Sequence, residues 1–168
     1  MIRIGLMSDT HGFLDEEKLQ LFSDCDEIWH AGDLGENEVA GRLEAFRPLR
    51  AVYGNIDGLE IRQRFPEDLH FVCEGLKVWM THIGGYPGKY VPRVRRLLEA
   101  TRPDLFICGH SHILKILPDP HLDLLHINPG ACGHEGFHLV RTMVRFTIQS
   151  GRIEGLEVIE LGRRGRAR

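Results

Sequence analysis

The sequence predicts a mixed α/β fold, and three observations carry that reading. In the first third, short apolar runs alternate with helix-patterned stretches in the order β-α-β-α-β, which builds a parallel sheet covered on its faces. From Leu69 onward the pattern changes to strand-like runs joined by turns, so about half of the sheet material is expected to be antiparallel. The apolar runs also end abruptly in Asp, Asn or His, at the place where open α/β sheets usually keep their chemistry.

Ile2, Ile4, Leu6 and Met7 form a buried first strand that turns polar at Ser8. Asp15 or Glu16 then opens a helix that turns Leu19, Leu21 and Phe22 toward the sheet. Residues 26–31 read as a second strand ending in Gly32 and Asp33, and residues 36–46 as a helix with Val39, Leu43 and Phe46 near helical spacing. Residues 50–53 are a short third strand ending in Gly54, Asn55, Ile56 and Asp57. Residues 69–74 and 77–81 alternate about Gly75 like a hairpin whose second arm ends at His82. The glycine-rich stretch 83–89 is expected to be a loop, and 91–100 a basic amphipathic helix burying Val94, Leu97 and Leu98. Residues 104–108 are a buried strand ending in Gly109, His110, Ser111 and His112. The runs 113–117, 122–127, 137–149 and 152–161 read as strands of a meander. No repeat, linker or low-complexity segment interrupts them, so residues 1–162 are expected to be a single domain and 163–168 a basic, solvated tail.

A chain of 168 residues, 42% of them hydrophobic, suffices for one core. No apolar run approaches the roughly 18 residues of a membrane span. The N-terminus begins with a strand rather than a basic and then apolar leader. Cys25, Cys73, Cys108 and Cys132 show no CxxC spacing, which points to reduced thiols and a cytoplasmic location, with Cys73 and Cys108 in the core. A net charge of −3 offers no electrostatic footprint for nucleic acid. Ten histidines, several beside Gly or Asp at strand ends, are the unusual feature.

Five apolar runs end in metal-ligand residue types: Asp9 with His11, Asp33, Asn55, His82, and His110 with His112. Singly, each has a plainer role: Asp33 could cap a helix, Asn55 form an Asx turn, and His82 be a half-buried strand-end histidine. Seven at successive strand ends argue for one pocket. Gly12, Gly32, Gly54 and Gly109 let the backbone turn sharply there. Two metals roughly 3.5–4 Å apart need about this many ligands and a shared carboxylate. The mixture of carboxylate, amide and imidazole, without thiolate, suits Mn, Fe, Zn or Ni better than Ca.

The ordered series D-x-H, G-D, G-N-x-[DE], H, G-H-x-H, present here as SDTHG, AGD, GNID, TH at 81–82 and GHSH, resembles the calcineurin-like metallophosphoesterase superfamily. Its compact spacing, with INPGA at 127–131, is similar to the small bacterial and archaeal phosphodiesterases, a branch that includes the small subunit of retromer. The resemblance covers nearly the whole chain and implies a four-layer αββα sandwich. It implies that Asp9, His11 and His112 hold one divalent metal ion, that Asn55, His82 and His110 hold another, and that Asp33 bridges them. Asp33, Asn55 and His110 are expected to be catalytic as well. Manganese is the foremost choice of metal, with nickel, iron or zinc as alternatives. The implied activity is hydrolysis of phosphodiester bonds in a small-molecule phosphate ester, by in-line attack of a metal-bound hydroxide, with neither membrane nor nucleic acid as partner and homo-oligomerisation left open. The alternative is a catalytically weak interaction scaffold of the retromer-small-subunit type.

Two positions depart from the family pattern. Ile56 stands where many of these phosphatases have a histidine that assists the leaving group, and Ile83 follows His82 where glycine is common. His30 reads either as a residue orienting a ligand or as a satisfied buried histidine. His134 and His138 either approach the substrate or lie on a surface loop without a role. His70, His121 and His126 read as structural, and Asp57 as a ligand support or turn former.

Overall fold

The structure is a computed structural model that describes residues 1–165; residues 166–168, the end of the expected tail, lie outside the described residues. β1 (Ile2–Met7), β2 (Glu27–His30) and β3 (Leu49–Ala51) pair in parallel, linked through α1 (Glu16–Gln20) and α2 (Asn37–Phe46). The Asp15 carboxylate accepts the Lys18 N–H at 2.9 Å and so caps α1. After α3 (Leu59–Arg64), β4 (Asp68–Cys73) and β5 (Leu76–Thr81) form the expected antiparallel hairpin. α4 (Pro92–Thr101) leads into β6 (Leu105–Ile107), followed by β7 (Leu114–Asp119), β8 (Leu124–Pro129), β9 (Val140–Gln149) and β10 (Arg152–Arg163).

Two five-stranded mixed sheets result, in the orders β10-β9-β1-β2-β3 and β4-β5-β6-β8-β7. Ile4, Leu6, Trp29, Val144 and Phe146 of the first sheet meet Val78, Met80, Leu105 and Ile107 of the second in an apolar central core. The outer face of the first sheet packs against Leu19, Val39, Leu43 and Ile61 of α1, α2 and α3. That of the second packs Trp79 and Phe106 against Val94 and Leu98 of α4. The layers therefore run α, β, β, α. Gly5 is required at its place in β1, because a Cβ there would lie 2.6 Å from the Phe22 ring.

Four details differ from the sequence reading, the first being α3, which no expected element covers. β5, β6 and β8 are parallel neighbours, so the second half of the chain is not a simple meander. Antiparallel pairing still accounts for half of the pairs, namely β1–β9, β9–β10, β4–β5 and β7–β8. β9 begins at Val140 rather than at 137, which leaves Phe137 fully exposed on a loop. β10 runs to Arg163, which pairs with Val140, and the Arg164 N–H donates to the Leu139 carbonyl at 2.9 Å. All four cysteines are buried and unpaired, and burial pushes the Cys108 and Cys132 thiols up to about 12. Among the described residues no helix is long and apolar enough to cross a membrane.

Candidate metal centre

The parallel strands β1, β2 and β3 of one sheet and β5 and β6 of the other run into five loops that carry the seven expected side chains. Neighbouring loops are knitted by backbone bonds, from Asp9 N–H to the Gly32 carbonyl, from His11 N–H to the Asp33 carbonyl, and from Gly109 N–H to the His82 carbonyl. Asp9, His11, Asp33, His110 and His112 all have positive φ, between 47° and 71°. Left-handed backbone costs a non-glycine residue free energy and concentrates at functional sites, and Asp and His tolerate it better than most. The loops also meet at van der Waals limits. A Cβ on Gly54 would lie 2.0 Å from Asp33 Oδ1, so only glycine lets the third loop approach the second.

Two groups of donors face one another. In the first, one ligand atom each of Asp9, His11 and His112 lies within 4.8 Å of the others; in the second, the same holds for Asp33, His82 and His110. Asp33 Oδ2 stands between them, 3.4 Å from His11 Nε2 and 3.2 Å from His82 Nε2. Asp9 Oδ1 lies 3.1 Å from His112 Nε2 and 3.7 Å from His11 Nε2. Asn55 is brought against the second group, its Oδ1 accepting from His110 Nδ1 at 3.0 Å.

The surroundings aim these atoms. Asp9 Oδ2 accepts from Ser8 Oγ at 2.6 Å and from the His110 N–H at 3.2 Å, which leaves Oδ1 for the centre. His82 Nδ1 donates to the Ala31 carbonyl at 2.7 Å, which frees Nε2 as a lone-pair donor. The other oxygen of Asp33, Oδ1, accepts the Ile56 N–H at 3.1 Å. Asn128 of the INPGA stretch donates to the Gly109 carbonyl and to Ser111 Oγ, both at 3.0 Å, and fixes the loop that carries His110 and His112. Among the described residues, Asp9 Oδ1, His11 Nε2 and His82 Nε2 are buried without a hydrogen-bond partner. Groups of this kind are costly unless something binds them, and a cation is what two carboxylates and several imidazoles can bind together.

Charge tells the same story. Burial opposes ionisation of Asp9 and Asp33, yet the imidazoles beside them, His11 and His112 at Asp9 and His11 and His82 at Asp33, hold both carboxyls far below the usual range. In return the nearby Asp33 carboxylate, and then that of Asp9, raises His11 to about 9. His82 is also raised, its contacts with Asp33 and Asp9 outweighing burial. The centre demands positive charge.

Three further residues gain a place. Asp57 is buried, and its carboxylate accepts from the N–H groups of Gly54 at 2.8 Å, Gly35 at 2.8 Å and Leu34 at 3.2 Å, tying the Asp33 loop to the Asn55 loop. His30 is buried and fully satisfied: Nδ1 accepts the Gly32 N–H, and Nε2 meets Thr10 Oγ1 at 3.1 Å. Burial lowers it to about 4, which keeps it neutral. His138 is the residue the sequence reading placed least well. It packs behind His112 with the two Nδ1 atoms 3.2 Å apart, neither reaching for substrate nor idle on the surface. The signal lay in its spacing from the Asn128–Gly130 turn, but nothing in the sequence tells which histidine a loop will face. His134 points elsewhere, its Nδ1 bonded to the Arg164 carbonyl and its ring edge-on to Phe13.

Residues 2–151 match the family model of the calcineurin-like phosphoesterase superfamily domain. The chain is 31% identical over 138 residues to a probable metallophosphoesterase of Methanothermobacter thermautotrophicus, covering 76% of each protein. It is 31% identical over 134 residues to a probable metallophosphoesterase of Methanocaldococcus jannaschii, covering 76% of this chain and 67% of that one. Among solved structures it is similar to an archaeal phosphodiesterase, with a TM-score of 0.77, 23% identity, and 95% and 100% of the two chains covered. It is also similar to Vps29 of Entamoeba histolytica complexed with Zn²⁺, with a TM-score of 0.73, 14% identity, and 98% and 100% covered.

Proposed function

The chain belongs to the calcineurin-like phosphoesterase superfamily, and from that premise we propose that it is a two-metal phosphodiesterase acting on a small-molecule phosphate ester. The observation that carries this reading is the set of buried, unpartnered donor atoms, Asp9 Oδ1, His11 Nε2 and His82 Nε2, at the meeting point of five loops. Asp9, His11 and His112 would hold one cation, and Asn55, His82 and His110 the other, with Asp33 shared. Manganese is the first choice, with nickel, iron or zinc as alternatives, because the donors are oxygen and imidazole nitrogen without thiolate. Two such cations, when bound, lower the pKa of a water, neutralise a phosphate and stabilise the leaving oxygen.

The protein's own part is positioning. Asp33 is held by the Ile56 N–H, so one of its oxygens stays aimed between the two donor groups. His110 and Asn55 are the exposed members of the set, and His110 hydrogen-bonds Asn55, so these two are proposed to meet the phosphate. The Ile56 side chain, 46% exposed beside Asn55, has no proton to give. Substrates with good leaving groups are therefore favoured.

The test is removal and return of metal. Chelator-stripped protein should lose hydrolysis of bis(p-nitrophenyl) phosphate and regain it with Mn²⁺, and Asp33→Asn should abolish the recovery. Full activity in the stripped protein would overturn the reading.

A second reading, an interaction scaffold of the retromer-small-subunit type, draws on Phe137 and Leu139, which are exposed on the loop that carries His138. The complete donor set favours the enzyme. A stripped protein that regains no phosphoesterase activity with any of the four metals would favour the scaffold.

A further inference from the structure

A cleft of about 520 Å³ opens beside the second donor group, its wall including Asn55, His82, Tyr53, Ile83, Arg62 and Arg93. That size suits a small organic ligand. Its two cations differ in status. Arg93 is neutralised, 2.8 Å from Asp68 and 3.6 Å from Glu67. Arg62 is not: among the described residues no carboxylate pairs with it. Its Nε donates to the Asp57 carbonyl at 2.6 Å, its Nη2 to the Asn55 carbonyl at 3.3 Å, and its guanidinium lies over the Tyr53 ring at 4.6 Å. Stacking and two backbone bonds fix this planar fork in place, and the one carboxylate in the wall, Glu67, pairs with Arg93 rather than with Arg62.

Resting on the phosphodiesterase reading, we propose that this cleft selects the substrate: it takes an arm of the diester that carries a second anionic phosphate, and Arg62 pairs with that phosphate. The scissile group lies at Asn55 and His82, the arm runs along Ile83, and the second anion meets Arg62, which among the described residues has no carboxylate partner. A diester with a neutral arm leaves Arg62 without a partner and gains only the apolar wall. A charge-assisted contact of this kind is worth about tenfold or more in affinity.

Two diesters with the same leaving group isolate the effect: the p-nitrophenyl ester of thymidine 5′-phosphate with a free 3′-hydroxyl, and the same compound with a 3′-phosphate. With Mn²⁺-loaded protein the 3′-phosphate should raise kcat/KM by about tenfold or more, chiefly through KM. Arg62→Met should remove most of that advantage, and Arg62→Lys should keep part of it. If Arg62 served only to hold the Asn55 loop, its loss would slow both compounds alike and leave their ratio unchanged, which would overturn the proposal. Equal kcat/KM for the two compounds in the unaltered protein would do the same. Calorimetric titration in the presence of Mn²⁺ needs no turnover: thymidine 3′,5′-bisphosphate should bind about tenfold more tightly than thymidine 5′-monophosphate, and the gap should close in Arg62→Met. Hydrolysis of neither diester would refute the phosphodiesterase reading, and the titration would still decide the role of the cleft.

Discussion

His138 fixes the proton of His112. The carbonyl of Gly133 can only accept, so His138 Nε2, 2.9 Å away, carries a hydrogen. Burial lowers the His138 pKa and so favours the neutral ring, whose Nδ1 is an acceptor. The Nδ1 of His112, 3.2 Å from it, must then be the donor. In a neutral His112 ring the remaining lone pair is then on Nε2, the nitrogen 3.1 Å from Asp9 Oδ1.

Removing this brace should weaken metal binding without removing a ligand. His138→Phe is expected to lower the affinity for the Mn²⁺ that Asp9, His11 and His112 would hold by about 10–100-fold. Calorimetric titration of stripped protein would read this, and two unchanged binding steps would show that His112 needs no partner.

Ile56 invites a gain of function. A well-placed general acid contributes roughly 10²–10⁴-fold, and the Ile56 side chain is exposed next to Asn55. Ile56→His should raise hydrolysis of a phosphomonoester more than that of an activated diester, because a poor leaving group gains more from a proton. The rise should fall short of the full range, since no surrounding packing holds the new ring. The ratio of the two kcat/KM values, at equal metal content, is the measurement. A ratio that stays flat or drops would place position 56 away from the leaving oxygen.

Acid should destabilise the fold through His126. It is completely buried, both ring nitrogens lack a partner among the described residues, and burial lowers its pKa to about 4. The unfolded chain binds this proton near pH 6.5, whereas the folded one binds it only near pH 4. Stability is therefore present above about pH 6.5 and is lost as pH falls through that window, by about 3 kcal/mol in all. Urea unfolding at pH 7 and pH 4.5 should show a smaller loss for His126→Phe than for the unaltered protein. Equal losses would show that another group carries the acid sensitivity.

The sequence made much of this molecule legible because its signals are local. A strand that must be buried on both faces reads as an apolar run, and its end is marked where polar side chains begin, so the seven donors could be located before their convergence was seen. The short helix α3 left no such mark: it buries only Ile61, and six residues carry no periodicity. The order of the second sheet was hidden for another reason. β8 follows β7 as a hairpin but also lies parallel to β6, and nothing in either run records that second neighbour. His138 was ambiguous in the same way, because its role depends on a side chain 26 positions away.

The left-handed turns at Asp9, His11, Asp33, His110 and His112 have an evolutionary corollary. Backbone of that hand rejects β-branched and bulky residues and admits chiefly glycine, asparagine, aspartate and histidine. Apart from glycine, the residue types that preserve the shape of these loops are largely the types that can bind a cation. A lineage released from catalysis yet held to the same architecture would keep drawing from that short alphabet. Its motifs would outlive its chemistry, so in such descendants intact ligands record the geometry of the loops before they record turnover.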